Sequence, residues 1–190
     1  MNTLITLAFL FTAAGIVWYV VTIFNGLVAL KNDIDKALAN IDVVLKQRHD
    51  ELPKLLDVCK GYMNFERDTL QKITQARNMY QQAVSVNEKA QADQKMTSAL
   101  GGLFAVAENY PELKANSNFM QLQNRIMQLE SQIADRREFY NDSVNTFNIR
   151  IQEMPDTFIA SFMSLCPRQM FKVEEEDKTD VPMTFAAAAK

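Results

Sequence analysis

Few side chains in this sequence could perform catalysis. His49 is the single histidine, which excludes a zinc site built from several histidines and leaves any Ser-His or Cys-His arrangement dependent on that residue. It lies in the charged stretch "KQRHDELP", where we expect a solvated position on a helix. Cys59 and Cys166 lack the spacing of a metal or redox motif. We expect both to be buried as small apolar side chains, and the sequence leaves a bridge between them open.

The remaining groups do not form a recognisable reaction centre. Gly101 and Gly102 lack the spacing and the following Lys-Ser/Thr of a phosphate-binding loop. Carboxylates are plentiful, but their spacing does not pair them, and on helices they are usually solvated. We therefore expect no enzymatic activity, no cofactor and no metal site. The net charge of −3 and the scattered basic residues also argue against nucleic-acid binding.

The elements that would position these side chains are helices. Only five glycines and five prolines occur among 190 residues, in a chain rich in Leu, Ala, Gln, Lys, Glu and Met. This composition favours helix over sheet, and the length suits one soluble domain and little more. Long helical patterns with short connections predict an all-α fold: an N-terminal transmembrane helix followed by a long-helix antiparallel bundle.

The N-terminal stretch predicts a membrane anchor. Residues 4–24, "LITLAFLFTAAGIVWYVVTIF", are predominantly apolar and uncharged, and a helix needs about 20 such residues to cross the hydrocarbon core. A cleaved signal peptide would need a basic start and a small-residue cleavage site. No Lys or Arg precedes the stretch, and the bulky "TIFNGLVALKND" follows it. We expect a retained anchor over residues 1–26, in contact with membrane lipid.

Basic residues indicate the orientation of the anchor. Lys31, Lys36, Lys46 and Arg48 follow the apolar stretch, whereas none precedes it. The positive-inside tendency therefore places the large domain, residues 27–171, in the cytoplasm.

The first part of that domain carries an apolar stripe at steps of three, four or seven, which is typical of a helix face. Its members are Leu27, Leu30, Ile34, Leu38, Ile41, Leu45 and Leu52. Pro53 disfavours helical geometry at Leu52, so we expect a kink or short break there. Apolar spacing resumes from Leu55 to Val84, which leaves open one long bent helix across Pro53. A further helix is expected over about 87–108, with a kink or close helix contact at Gly101 and Gly102.

The second part approximates a heptad seam for about four heptads. The seam consists of Phe119, Leu122, Ile126, Leu129, Ile133, Tyr140, Val144, Phe147 and Ile151. Arg136 occupies one seam position, where we expect it to cover apolar surface or to pair at the bundle edge. Pro155 should end this helix, and a short amphipathic helix stopped by Pro167 should follow. Residues 172–190 are acidic and then Ala-rich, which predicts a flexible tail.

Between the two parts lies "LFAVAENYPELKANSNFMQL", residues 103–122. Pro111 disfavours helix at Tyr110, and Asn116, Ser117 and Asn118 are each suited to cap the next helix. We name residues 108–116 the corner and predict a helix-to-helix connection that can also be displayed to a partner. Its candidate contact or structural residues are Glu108, Asn109, Tyr110, Pro111, Lys114 and Asn116.

Three blocks in order resemble the bacterial LemA family: "NGLVALKNDIDKALANIDVVLKQRHDELPKLLDVCKGY", "AVAENYPELKANSNFMQLQNRI" and "FYNDSVNTFNIRIQEMP". The similarity covers about Phe24 to Phe171. It implies an N-terminal anchor in the bacterial inner membrane, crossed once, a helical-bundle domain and no established enzymatic activity. It also implies a membrane-associated partner or scaffold, with an HtpX-type membrane peptidase as a candidate partner. The acidic, Ala-ending tail departs from the typical member.

Two functions remain open. The first is a membrane-anchored helical scaffold or adaptor that binds or organises another membrane protein, with self-association into a homo-oligomer left open. The second is a sensor that binds a small ligand or peptide in a groove between bundle helices. A large apolar pocket with convergent polar groups would favour the sensor, and a closely filled core would favour the scaffold.

Overall fold

The computed structural model describes residues 2–63 and 66–172 of the chain, and the regular elements in these ranges are helices. They are α1 (Asn2–Lys60), α2 (Arg67–Gln82), α3 (Val86–Ala107), α4 (Pro111–Lys114), α5 (Ser117–Arg150) and α6 (Asp156–Phe162). The all-α prediction is confirmed. The predicted flexible tail, residues 172–190, lies outside the described residues except for Lys172. The predicted division into domains at residues 26 and 171 stays a prediction.

Helix α1 continues without a break through Pro53, so of the two predicted alternatives at Leu52 the short break is wrong, and the kink stays a prediction. An interior proline costs about 3 kcal/mol or more. Leu52 and Leu55, on either side of it, are completely buried, and burying each of two such side chains contributes about 1.5–3 kcal/mol. The chain leaves the helix only after Lys60, where the amides of Tyr62 and Met63 donate to the Cys59 carbonyl.

Two apolar clusters hold the helices together. The near cluster, beside the apolar N-terminal segment, includes Ile23 and Ile41 of α1 with Phe147 of α5. The far cluster includes Leu55 of α1 and Phe119 of α5. Because the early part of α1 meets the late part of α5, these two helices pack antiparallel along their length.

The hairpin of α2 and α3 completes the bundle. Ile73 of α2 lies in the far cluster and Tyr80, two turns later, packs against the near one, whereas α3 returns from Ala90 in the near cluster to Leu103 in the far one. The four long helices therefore alternate in direction. This arrangement matches the predicted antiparallel bundle.

The predicted heptad seam of α5 is confirmed at nearly every position. All its members are buried except Leu122, which is half-buried. The seam position predicted for Arg136 is wrong, since its side chain is exposed. The neighbouring Arg137 reaches into the bundle instead. The 3.6-residue period of a straight helix drifts from a strict heptad, which explains a shift of one position over such a long helix.

A local signal accounts for the start of α3. The Ser85 hydroxyl accepts from the Glu88 amide at 3.2 Å, and the Glu88 carboxylate accepts from the Ser85 amide at 2.9 Å, which is a capping box. These backbone donors lower the pKa of Glu88. The close helix contact predicted at Gly101 and Gly102 is wrong, because a Cβ at either position would meet nothing within 4 Å.

Candidate functional site

The corner is a capped connection at the far end of the bundle. Asn116 is the N-cap of α5, and its side-chain oxygen accepts from the amides of Asn118 at 2.9 Å and Phe119 at 3.1 Å. Its Nδ2 donates to the hydroxyl of Tyr62, 3.1 Å away, beyond the end of α1. The predicted cap is thus confirmed for Asn116, whereas Ser117 and Asn118 already belong to α5.

The other predicted corner residues surround this cap. Tyr110 leaves helical geometry with φ −120° and ψ 82°, as expected before a proline, and Pro111 opens the short α4. The Tyr110 hydroxyl donates to Glu66 at 3.4 Å, and Lys114 pairs with Glu108. Of the six residues, four are exposed: Glu108, Asn109, Pro111 and Lys114. The structure thus places these residues in the connection between α3 and α5, and their contact with a partner stays a prediction.

A buried ionic cluster joins α1, α3 and α5. Arg48 Nη2 lies 2.7 Å from Asp93 Oδ1, and Arg48 Nη1 lies 2.5 Å from Glu130 Oε1. Arg137 Nη1 lies 3.0 Å from the second oxygen of Asp93, and the Thr97 hydroxyl donates to Glu130 at 2.8 Å. Arg48 is 4% exposed and Asp93 is 1% exposed. We call these five residues the ionic cluster.

The electrostatics of Asp93 depend on its two arginines. Burial raises the pKa of the Asp93 carboxyl, and the Arg48 and Arg137 guanidiniums oppose that shift. Because two cations face one buried carboxylate, the cluster is suited to fixing the register of three helices. Its chemistry is that of a structural network whose polar groups are satisfied.

This cluster was not predicted from the sequence, although the sequence contains a signal for it. Arg48 lies three residues after Leu45 and four before Leu52, so it falls on the apolar stripe of α1. Asp93 falls in the same way between Ala90 and Met96, both of which are buried. A charged side chain on an apolar stripe predicts a buried pair, but not which residue completes it.

His49 is not solvated as expected. Its side chain is 14% exposed, and its Nε2 accepts from Arg77 Nε of α2 at 3.1 Å, which requires that nitrogen to be unprotonated. The imidazole ring also lies 5.9 Å from the Tyr80 ring, between centroids. The helix α2 covers this side of α1, so His49 links two helices.

The residues after α6, 163–172, form a turn and an irregular stretch that returns across α5, and we call this segment the strap. Asn148 accepts from the Arg168 amide at 2.8 Å and donates to the Arg168 carbonyl at 2.9 Å. Asn141, two turns earlier, makes the same pair of bonds with Phe171 at 2.7 and 3.4 Å. Tyr140 donates to the Gln169 carbonyl at 2.8 Å. Side-chain amides thus satisfy strap backbone groups that have no helix to pair with.

The cysteines differ from each other. Cys59 is buried in the far cluster, as predicted, and burial raises the pKa of its thiol from 9.0 to about 11. Cys166 is exposed in the strap, so the expectation that it is buried is wrong. Both thiols are free. The strap is an irregular surface segment, in which helical periodicity does not predict burial.

The cavities in the described part of the bundle differ in size and position. A cavity of about 10 Å³ lies beside Arg48, His49 and Tyr80, which is too small for an organic ligand. A larger depression of about 470 Å³ lies on the outside of the α2–α3 hairpin, between Lys72 and Lys95. Within residues 2–63 and 66–172, no group of three or more His, Cys, Asp or Glu side chains is arranged to hold a metal ion.

The N-terminal part of α1 presents apolar side chains to its surroundings. Phe9, Phe11 and Trp18 are each more than two-thirds exposed. Within the described residues, α1 is long and apolar enough to cross a membrane, with a mean hydropathy of 2.2 in its most apolar window.

Fold and surface together define a helical-bundle protein whose first helix extends into a segment of membrane-spanning length. The LemA family model matches residues 37–185. Protein LemA of Metamycoplasma hominis is 30% identical over 158 residues, which cover 83% of this chain and 72% of that protein. The chain therefore belongs to the LemA family.

The residues that the family model matches differ from those that carry the resemblance in the sequence. It begins after Phe24 and continues past Phe171 into the acidic segment. Magnetosome proteins MamQ 1 and MamQ 2 of Paramagnetospirillum magneticum are each 32% identical over 92 residues. That segment is 48% of this chain and 33% of each of those proteins. The similarity thus covers only a third of each MamQ protein.

Proposed function

We propose that this protein is a membrane-anchored helical scaffold or adaptor that binds or organises another membrane protein. The observation that carries the proposal is the continuity of α1, which runs as one helix from the largely exposed apolar run 4–24 to Cys59 in the far cluster. A partner docked on the bundle would therefore be held at a defined height and angle to the bilayer.

The interior supports a mechanical role. The cavity of about 10 Å³ beside Arg48 leaves no room for an organic ligand at that point of the described bundle. The ionic cluster ties α1, α3 and α5 at one level of the bundle. Such a body transmits position because packed helices with satisfied polar groups resist deformation.

The finer assignments belong to the same proposal. The basic residues after the anchor, Lys31 to Arg48, favour a single pass through the bacterial inner membrane with the bundle in the cytoplasm. The partner would be a membrane protein, with an HtpX-type peptidase as one candidate, or a second copy of this chain. We propose the exposed residues of the corner as the contact surface.

Crosslinking in intact cells tests the proposal. A photo-crosslinking amino acid at Asn109, exposed in the corner, is compared with the same group at Gln132, exposed on α5. In the full-length chain, Asn109 should capture an identified membrane protein or a second copy, and Gln132 should not. Absence of capture at both positions, together with a monomer after extraction from membranes, would contradict the scaffold.

One observation supports the second function, a peptide-binding sensor. The bundle already binds the strap through the side chains of Asn141 and Asn148. A peptide-binding sensor would exchange this segment for another chain. Adding a synthetic peptide of residues 163–172 to the detergent-solubilised protein should then speed hydrogen exchange at the Phe171 amide. An unchanged exchange rate at saturating peptide would remove this function.

A further inference from the structure

The short helix α6 exposes a cluster of large apolar side chains. Met154 is 73% exposed, Phe158 is 68% exposed and Phe162 is 87% exposed. Phe158 and Phe162 are four residues apart and therefore lie on one face of the helix. Ala160 is buried in the near cluster, and Ile159 packs against it. The helix thus has one face against the bundle and a second apolar face, Phe158 and Phe162, uncovered. Met154 is exposed in the turn just before the helix, and we call the three residues the α6 face (Met154, Phe158 and Phe162).

Contacts with α1 define the level of the α6 face along the bundle. The guanidinium of Arg150, at the end of α5, lies so close to Gly26 that a Cβ there would be 2.7 Å from Nη2. Arg150 Nε also donates to Asp156, the first residue of α6, at 2.6 Å. Gly26 is two residues past Phe24, which is about 3 Å along a helix. The helix α6 therefore lies where the apolar run of α1 ends.

Ile23 gives independent support for that level. It belongs to the apolar run 4–24, yet it is only 5% exposed, because the near cluster that includes Ile151 and Ala160 covers it. The end of the bundle thus overlaps the last turn of the membrane-spanning segment. Side chains exposed at this end would face the bilayer surface rather than bulk water.

Exposed apolar patches mark contacts with membranes or proteins, and aromatic residues partition into the membrane interface. We propose that the α6 face inserts into the interfacial layer of the same bilayer that α1 crosses, giving the bundle a second membrane contact. This inference rests on the proposed anchoring by α1. Because α1 already holds α6 at the surface, even a weak interfacial affinity suffices for occupancy.

Tryptophan quenching in vesicles tests the contact. Trp18 is the single tryptophan, so Trp18→Phe gives a background in which Phe158→Trp or Phe162→Trp places one reporter on the α6 face. The full chain is reconstituted into phosphatidylcholine vesicles brominated at shallow acyl positions. We expect quenching of each reporter to a fraction similar to that of Trp18 in the unmodified chain.

Met127→Trp in the same background is the matched control. Met127 is an exposed apolar residue of α5, about 35 Å along the helix from Arg150 at 1.5 Å per residue. Its reporter should not be quenched. Two reporters on α6 are used so that a substitution that disturbs packing at one position does not by itself decide the result.

The outcomes separate this inference from the anchor. Quenched Trp18 with unquenched, water-like emission from both α6 reporters would overturn the inference and leave the anchor standing. Blue-shifted but unquenched α6 reporters would also overturn it, because a protein or a second copy would then cover the face. Unquenched Trp18 would overturn the anchor, and the α6 contact with it.

Discussion

The guanidinium of Arg48 on α1 lies 2.7 Å from the carboxylate of Asp93 on α3, and both side chains are almost completely buried. A buried ion pair loses its hydration, so its net contribution can be small while it is intact. Removing one partner is costly, because the remaining charges are left uncompensated. Asp93 has two such partners, since Arg137 contacts its second oxygen.

Asp93→Asn should therefore lower the free energy of unfolding by about 3–5 kcal/mol. The measurement is urea unfolding of the full chain in detergent micelles, followed by circular dichroism. Asp57→Asn is the matched control, since it removes the exposed pair with Lys60 and should cost about 0–1 kcal/mol. Equal losses in the two variants would show that the ionic cluster does not hold the helices together.

Asn116→Ala should lower the free energy of unfolding by about 0.5–2 kcal/mol, because the first amides of α5 lose their cap. The same unfolding experiment measures it. Asn118→Ala, in the first turn of α5, leaves the cap in place and should have a smaller effect. If the two variants lose the same stability, the cap is not what Asn116 contributes. A loss of partner capture without a loss of stability would instead assign the corner to binding.

Asn141→Ala and Asn148→Ala should each loosen the strap, because each removes two bonds to its backbone. Hydrogen exchange followed by mass spectrometry should show faster exchange of the Phe171 amide in Asn141→Ala. In Asn148→Ala, the Arg168 amide should exchange faster. Asn145→Ala, at an exposed position on the same helix, should leave both amides protected. Unchanged exchange in all three variants would contradict the recognition of the strap by these amides.

Stability at alkaline pH should depend on Cys59. Its pKa is about 11 in the folded protein against 9.0 ordinarily, so between these values the unfolded chain loses a proton that the folded chain retains. The free energy of unfolding should therefore decline as pH rises from about 9 to about 11. Lysines and tyrosines titrate there too, so Cys59→Ala is the reference. The stability difference between wild type and variant should shrink over this range, and a constant difference would contradict the burial of the thiol.

The exposed thiol of Cys166 reports orientation, because Cys59 is buried. With the bundle in the cytoplasm, a membrane-impermeant maleimide should label Cys166 only after intact cells are lysed. Cys166→Ala, which should abolish the labelling, identifies the reacting residue. Labelling of intact cells would place the bundle on the outer side and reverse the positive-inside prediction.

Periodicity explains which parts of the fold were predictable. The seam of α5 and the uncharged run of residues 4–24 each repeat one signal over many residues, so single exceptions do not hide them. The cap at Asn116 was predictable because capping depends on a residue and its immediate neighbours. A local interaction of this kind can be predicted because it involves residues only a few positions apart in the chain.

The rest depends on which helices meet. Nothing near Arg48 indicates that Asp93 and Glu130 complete its site, since they lie on different helices. His49 is covered because α2 places Arg77 and Tyr80 beside it. At Pro53 the local penalty was assessed correctly, but tertiary packing of Leu52 and Leu55 outweighed it.

The unbroken length of α1 also sets the distance between the apolar run 4–24 and the far end of the bundle. From Phe24 to Lys60 the helix is unbroken, and at 1.5 Å per residue this length is about 50 Å. The corner lies at that far end, since Asn116 bonds to Tyr62 just beyond Lys60. With α1 anchored in the bilayer as we propose, a protein confined to the headgroup layer would meet α6 but fall tens of ångströms short of the corner. The two ends of the bundle would therefore contact different molecules, according to the distance of those molecules from the bilayer.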